Sequence, residues 1–184
     1  MKIIKSILIV IVGIVAVALI AALFIKKEYA VERDIVINRP EAEVFTYIKQ
    51  LRNQDHFSVW ATRDPNMKKE YRGTDGTVGF ISAWEGNDEV GKGEQEIKKI
   101  TEGERIDYEL RFIEPFQATD DAYMTTDSIS ENQTQVKWGF SGKMDYPMNL
   151  MLLFMDMEEM LGGDLKTGLE KLKTQLEKKM QAVQ

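Results

Sequence analysis

The residues able to do chemistry are few and scattered. His56 is the only histidine, set in a polar stretch before Phe57 and Trp60, and an imidazole can serve as a general base near neutral pH. Ser58 lies two residues on, but adjacency in a loop does not assemble a Ser–His–Asp constellation. Four carboxylates, Glu94, Glu96, Asp107 and Glu109, alternate along two strand-like segments. Paired carboxylates do acid–base work when they face an apolar pocket. Asp107 and Glu109 instead share a face with Arg105 and Arg111, which predicts solvated cross-strand ion pairs. With one histidine, no cysteine and no D-x-D-x-D-G loop, neither a metal nor a cofactor is expected. GTDGTVG and GKG lack the strand–GxxxxGK–helix setting of a phosphate loop and read as turns.

The apolar side chains say more. Phe80, Trp84, Tyr108, Leu110, Phe112, Trp138 and Phe140 fall on one face of the predicted strands. Ordinary core accounts for most of such a set. Tyr and Trp also bring polar tips, the means by which an apolar pocket orients a bound molecule. Six of the ten methionines lie between Met144 and Met160, in YPMNLMLLFMDMEEMLGG. On a helical wheel residues 148–155 are apolar nearly all round, so they need cover on every side. Asp156, Glu158 and Glu159 make the run too short to span a bilayer. Two uses remain: gap-filling core, or a pliable flap in which Met148, Met151 and Met155 line or close a cavity, with a kink, a break or a close backbone approach at Gly162–Gly163.

These residues need elements to hold them. Tyr29, Val31, Arg33, Ile35 and Ile37 alternate as one strand face, and Pro40 with Glu41 and Glu43 opens a helix whose stripe is Val44, Phe45 and Ile48. Residues 51–73 read as one short helix and a loop. A run of about six strands follows, of which ERIDYELRF alternates most cleanly, with Ile106, Tyr108, Leu110 and Phe112 on its dry face. Leu165, Leu169, Leu172 and Leu176 then recur at helical spacing and are expected to pack on the sheet. A consecutive antiparallel sheet needs one face covered, and the long terminal helix is the available cover.

Ahead of all this, residues 7–25 are 19 consecutive apolar residues bracketed by Lys2, Lys5, Lys26 and Lys27. Roughly 20 helical residues cross a hydrocarbon core, and the small-residue pattern Ala16–Ala18 lies inside the run, so a retained single-pass anchor is read rather than a cleaved leader. Flanking lysines balance, so the side of the membrane holding the domain stays open. The expected units are therefore residues 1–27, the anchor at the cell membrane, and residues 28–184, the domain. Residues 1–27 carry four lysines and no acid, and the chain's net charge is −6, so residues 28–184 carry −10. That charge disfavours nucleic-acid binding.

The phrases VERDIVINRPEAEVFTYI, DPNMKKEYRGTDGTVGF after Trp60, WEGNDEVGKGEQEI and GGDLKTGLEKLKTQLE resemble the START-like or SRPBCC superfamily. The resemblance spans about residues 29–180. It implies an α+β helix-grip fold: a curved antiparallel sheet around the C-terminal helix, with a cavity between them. It implies much less about chemistry; the reading taken from the apolar faces is a small hydrophobic, lipid-like ligand touching the aromatic and methionine residues above. Two other classes stay open within that superfamily. One is a polyketide cyclase or aromatase-like enzyme using Tyr108, His56 or Tyr123; the other is a co-chaperone-like interaction module with an exposed apolar patch.

Overall fold

The computed structural model describes residues 2–178; Met1 and residues 179–184, the outer limits of the two expected units, lie outside the described residues. Helix α1 (Lys2–Ala22) comes first, long and apolar enough to cross a membrane. Except in its last turns, where Ala22 is buried, α1 stands clear of the domain. Strand β1 (Glu28–Ile37) leads to α2 (Glu41–Lys49), whose buried stripe is the expected Val44, Phe45 and Ile48. Pro40 sits at the N-cap of α2, one position before the helix proper.

Residues 51–72 hold more structure than one helix and a loop. A 3-10 turn, Leu51–Asn53, runs into two single-turn helices, α3 (Gln54–Phe57) and α4 (Trp60–Arg63), and then strand β2 (Lys68–Arg72). The remaining strands are β3 (Ile81–Glu85), β4 (Lys92–Thr101), β5 (Arg105–Glu114), β6 (Ala118–Ser130) and β7 (Gln133–Lys143). The seven strands form one antiparallel sheet in the order β1-β7-β6-β5-β4-β3-β2. Successive strands pair as hairpins, and only β1 crosses to the far edge, beside β7. The segment around Gly76, which takes φ +75°, is the turn from β2 to β3.

A 3-10 helix, Met148–Leu153, precedes the C-terminal helix α5 (Met157–Lys178). The break expected at Gly162–Gly163 instead falls at residues 154–156. Asp156 causes it: its carboxylate accepts the Glu159 backbone N–H at 3.0 Å, the N-cap arrangement, with an acid at the third helical position. Gly162 lies inside α5 for a different reason. A methyl group there would overlap the Arg33 guanidinium, which reaches across α5 to the Glu158 carboxylate at 2.6 Å and its carbonyl at 2.8 Å. Leu165, Leu169, Leu172 and Leu176 are buried as the spacing predicts.

The register sorts the concave face into rows running across the sheet. Arg33, Trp138, Met124 and Ile106 form one row; Val31, Phe140, Ala122, Tyr108 and Ile97 form the next. Beyond them, towards the end where β1 begins and β7 stops, come Leu110 and Gln95 with Asp120, and then Phe112, Gly93 and Trp84. Helix α5 starts over Arg33 and runs away from that end, reaching Val36 through Lys173 and Arg39 through the Leu176 carbonyl. The last two rows therefore lie past the covering helix, at the end where α1 joins the domain.

Candidate functional site

Under α5 the sheet is packed solid. Phe80 and Tyr108 are 1% exposed and Trp138 4%, so they border no void that holds water. Phe57 and Trp60 stand edge-on to the Trp138 ring at 5.5 and 6.0 Å, and Leu165, Leu169 and Leu172 complete the cluster. The implied cavity between sheet and terminal helix is filled by these side chains. The aromatic residues of α3 and α4, elements the hydrophobic pattern did not resolve, are what fill it.

At the α1 end the picture changes. Trp84, Leu110, Phe112 and Phe140 are only half-buried, as is Tyr29. Trp84 meets Phe112 edge to face at 5.9 Å and lies across Gly93, where a Cβ would stand 2.6 Å from its ring. Only glycine lets the indole lie flat against β4. Tyr29 stacks near Phe140 at 6.2 Å. Between these two aromatic pairs sit Leu110, Gln95 and the buried carboxyl of Asp120, which accepts the Lys143 backbone N–H at 3.3 Å. The nearest surface concavity, ≈ 490 Å³, touches Tyr29, Asp120 and Gly142 but is lined mainly by the outer-face residues Glu28, Ala30, Thr119, Asp121, Ser141 and Lys143, and by none of Trp84, Leu110, Phe112 and Phe140.

The electrostatics of this end follow from burial. Desolvation, then the neighbouring Asp121 charge, hold the Asp120 carboxyl above its ordinary range, against the Lys143 N–H that favours the anion. Desolvation, then the Asp120 charge, push the Tyr29 hydroxyl up to about 12. Asp120 and the Tyr29 hydroxyl thus bring two polar groups into an apolar frame.

The other predicted residues fall elsewhere. Met148 and Met151, 49% and 41% exposed, sit on the 3-10 helix rather than on a flap over an enclosed cavity, and Met155 is half-buried in the link to α5. The run is not continuous helix, so the wheel that placed them on one stripe does not apply. His56 is exposed on α3, its carbonyl accepting from Gln175 at 2.6 Å. Tyr123 belongs to the outer face, donating to Glu32 beneath the Arg105 guanidinium, 4.0 Å from its ring. Tyr108 Oη is buried beside Gln54 inside the core. Glu94, Glu96 and Glu109 surround Arg111 on the outer face, the first two at 2.7 Å, as the alternation predicts. The Arg111 hydrogen bond holds Glu96 below the ordinary carboxylate range. Among the described residues no cluster of His, Asp and Glu could hold a metal ion.

Asp120 and Asn149 are the residues that pattern-reading missed. Alternation through β6 does put Asp120 on the face of Ala122, Met124 and Thr126, so its signal was a single acid on a dry face. Asn149, fully buried, was the lone amide within an apolar run.

No family model matches the chain, and no curated protein matches it. Solved structures do resemble it. Norcoclaurine synthase from Thalictrum flavum, in complex with dopamine and hydroxybenzaldehyde, superposes with a TM-score of 0.62 at 10% identity, over 86% of this chain and 92% of that one. A protein from Nitrosospira multiformis gives 0.55 at 19% identity, over 79% and 94%. Ara h 8.0201 gives 0.53 at 12% identity, over 80% and 93%. At such identities the likeness establishes the fold, and the fold is the helix-grip fold.

Proposed function

We propose that this chain is a membrane-anchored helix-grip domain that binds a small apolar ligand at the α1 end of its sheet. The observation carrying the reading is the contrast in burial along one face. The sheet is sealed under α5, and it is open and aromatic beyond it, around one buried acid. The site consists of Trp84, Leu110, Phe112 and Phe140 from the expected set, joined by Tyr29 and Asp120. Phe80, Tyr108 and Trp138, sealed under α5, lie outside it. A ligand would lay its apolar body between the Trp84–Phe112 and Tyr29–Phe140 pairs and turn one polar group to Asp120. Each 100 Å² of apolar surface so removed from water contributes about 2.5 kcal/mol. The synthase structure, with two small aromatic molecules bound, supports the reading that this fold suits such guests.

Two contacts support retention of α1 as an anchor. The Lys27 carbonyl accepts the Met144 N–H at 2.8 Å, and the Asn149 amide donates to the carbonyls of Ala22 at 2.7 Å and Ile25 at 3.1 Å. The domain is thus built around the end of α1, which cleavage within the apolar run would leave ragged.

The test uses the full chain, purified in detergent, stripped of lipid and offered a total lipid extract. Native mass spectrometry is expected to find a discrete bound mass, and Trp fluorescence to change in wild type but not in Trp84→Phe. An unliganded spectrum at every extract concentration would refute the reading.

A further inference from the structure

The 3-10 helix Met148–Leu153 leaves a set of large apolar side chains uncovered. Met148, Met151, Leu153 and Phe154 are all exposed, Phe154 by 86%. The same short segment carries Asn149, which is fully buried and tied through its amide to the Ala22 and Ile25 carbonyls. The Ala22 carbonyl is among the orphan acceptors at the C-terminal end of α1, and Ile25 lies in the turn that follows, so the amide serves as a side-chain cap and ties down the exit from the helix. The tie fixes where the segment sits. Ala22 is the last residue of α1, and Leu23, Phe24 and Ile25 complete the apolar run as a turn, so the tie lies at the very end of that run.

We propose that Met148–Phe154 is a membrane-interface foot: an apolar surface that lies in the boundary between headgroups and acyl chains, seating the domain on the bilayer. The proposal rests on α1 being a retained membrane anchor. Given that, a segment bonded to the last residue of α1 and to Ile25 sits at the edge of the bilayer, where its exposed side chains meet lipid. Two further exposed aromatics fall at the same end. Phe24 follows α1 directly, and Phe116 lies in the turn from β5 to β6, at the sheet end where β1 begins.

The charges fit an apolar rather than an electrostatic attachment. Lys26 and Lys27 follow the span, but Asp145, Asp156, Glu158 and Glu159 flank the foot. Asp145 pairs with Lys143 at 2.9 Å, Glu158 pairs with Arg33, and Asp156 caps α5. With three of these four acids engaged and no basic excess, the foot needs no anionic lipid. Seating it also turns the open rows of the concave face toward the bilayer. A ligand would then be a membrane-resident amphiphile arriving from the lipid, without crossing water.

The absence of cysteine makes the experiment clean. Full-length Phe154→Cys, Val12→Cys and Ser128→Cys variants would each be labelled with an environment-sensitive dye, in nanodiscs of zwitterionic lipid. Doxyl groups would be placed shallow or deep in the acyl chains. Phe154 is expected to show a blue-shifted emission and severalfold more shallow-doxyl quenching than Ser128, which lies on the far end of β6. Val12, mid-span, is expected to be quenched best by the deep label. A quenched Val12 with an unquenched, iodide-accessible Phe154 overturns the foot while leaving the anchor standing. An unquenched Val12 overturns the anchor itself. A Phe154 label shielded from both doxyl lipid and iodide, in particles holding two chains, assigns the surface to a second copy and overturns the proposal.

Discussion

Asp120 is the residue whose behaviour distinguishes a binding pocket from a surface dent. Its folded carboxyl is held above the ordinary range first by burial and then by Asp121. The folded protein therefore binds that proton more tightly than the unfolded chain does. Stability contributed by the group is present at low pH and falls as pH rises through the raised folded value. Asp120→Asn keeps an acceptor for the Lys143 N–H and removes the charge. The variant is expected to melt above wild type at pH 7, with the gap closing as the pH nears ~4, where the unfolded carboxyl also protonates. A gap that stays constant across the titration would show the carboxyl to be ordinary. Gly162 offers a steric counterpart. Ala at that position must push the tip of the flexible Arg33 side chain off Glu158, which offsets the helix propensity gained, so a net change within about 1 kcal/mol is expected in urea melts. The same substitution at Gly163, which faces open space, is expected to be neutral or mildly stabilising.

Elements differ in how plainly their sequences announce them. β5 and α5 were legible because one period dominates each: two for Ile106, Tyr108, Leu110 and Phe112, and a helical repeat for the four leucines. β2 was not, because KKEYR turns only Lys69 and Tyr71 inward, and both are polar-tipped. Their partners lie far away in the chain, with Lys69 bound to Asp55 at 2.9 Å and the Arg52 guanidinium 4.2 Å from the Tyr71 ring. An edge strand of this kind is specified by tertiary contacts and lysine, not by alternation. The methionine run failed for the opposite reason. Apolar residues at nearly every position carry no period, and the informative letters were the two polar ones. Asp156 starts α5, and Asn149 caps α1. Asn149→Ala is accordingly expected to cost about 1–2 kcal/mol of local stability, leaving two carbonyls short of a donor. Amide hydrogen exchange over residues 144–156 should rise while exchange in β5 and β6 stays unchanged. Equal protection in both variants would mean that the amide bonds are idle.

At the scale of the whole molecule, the fold was the most legible property and the position of the site the least. Seven strands and a terminal helix follow from turn spacing and one leucine stripe. Where the sheet is open depends on where α5 begins and on what α3 and α4 insert beneath it, and neither is periodic in sequence. The account therefore locates binding by difference: Phe80, Tyr108 and Trp138 are sealed, while Trp84, Leu110, Phe112 and Phe140 are reachable at the end that joins α1. Leu110 is the residue at the centre of that open end, flanked by Gln95 and Asp120. Native mass spectrometry of the full chain released from lipid nanodiscs, comparing wild type with Leu110→Glu and with the outer-face control Tyr123→Phe, tests the claim directly. The account predicts a bound amphiphile in wild type and in Tyr123→Phe, lost in a folded Leu110→Glu. A bound mass that survives in Leu110→Glu, or none in wild type, would contradict it.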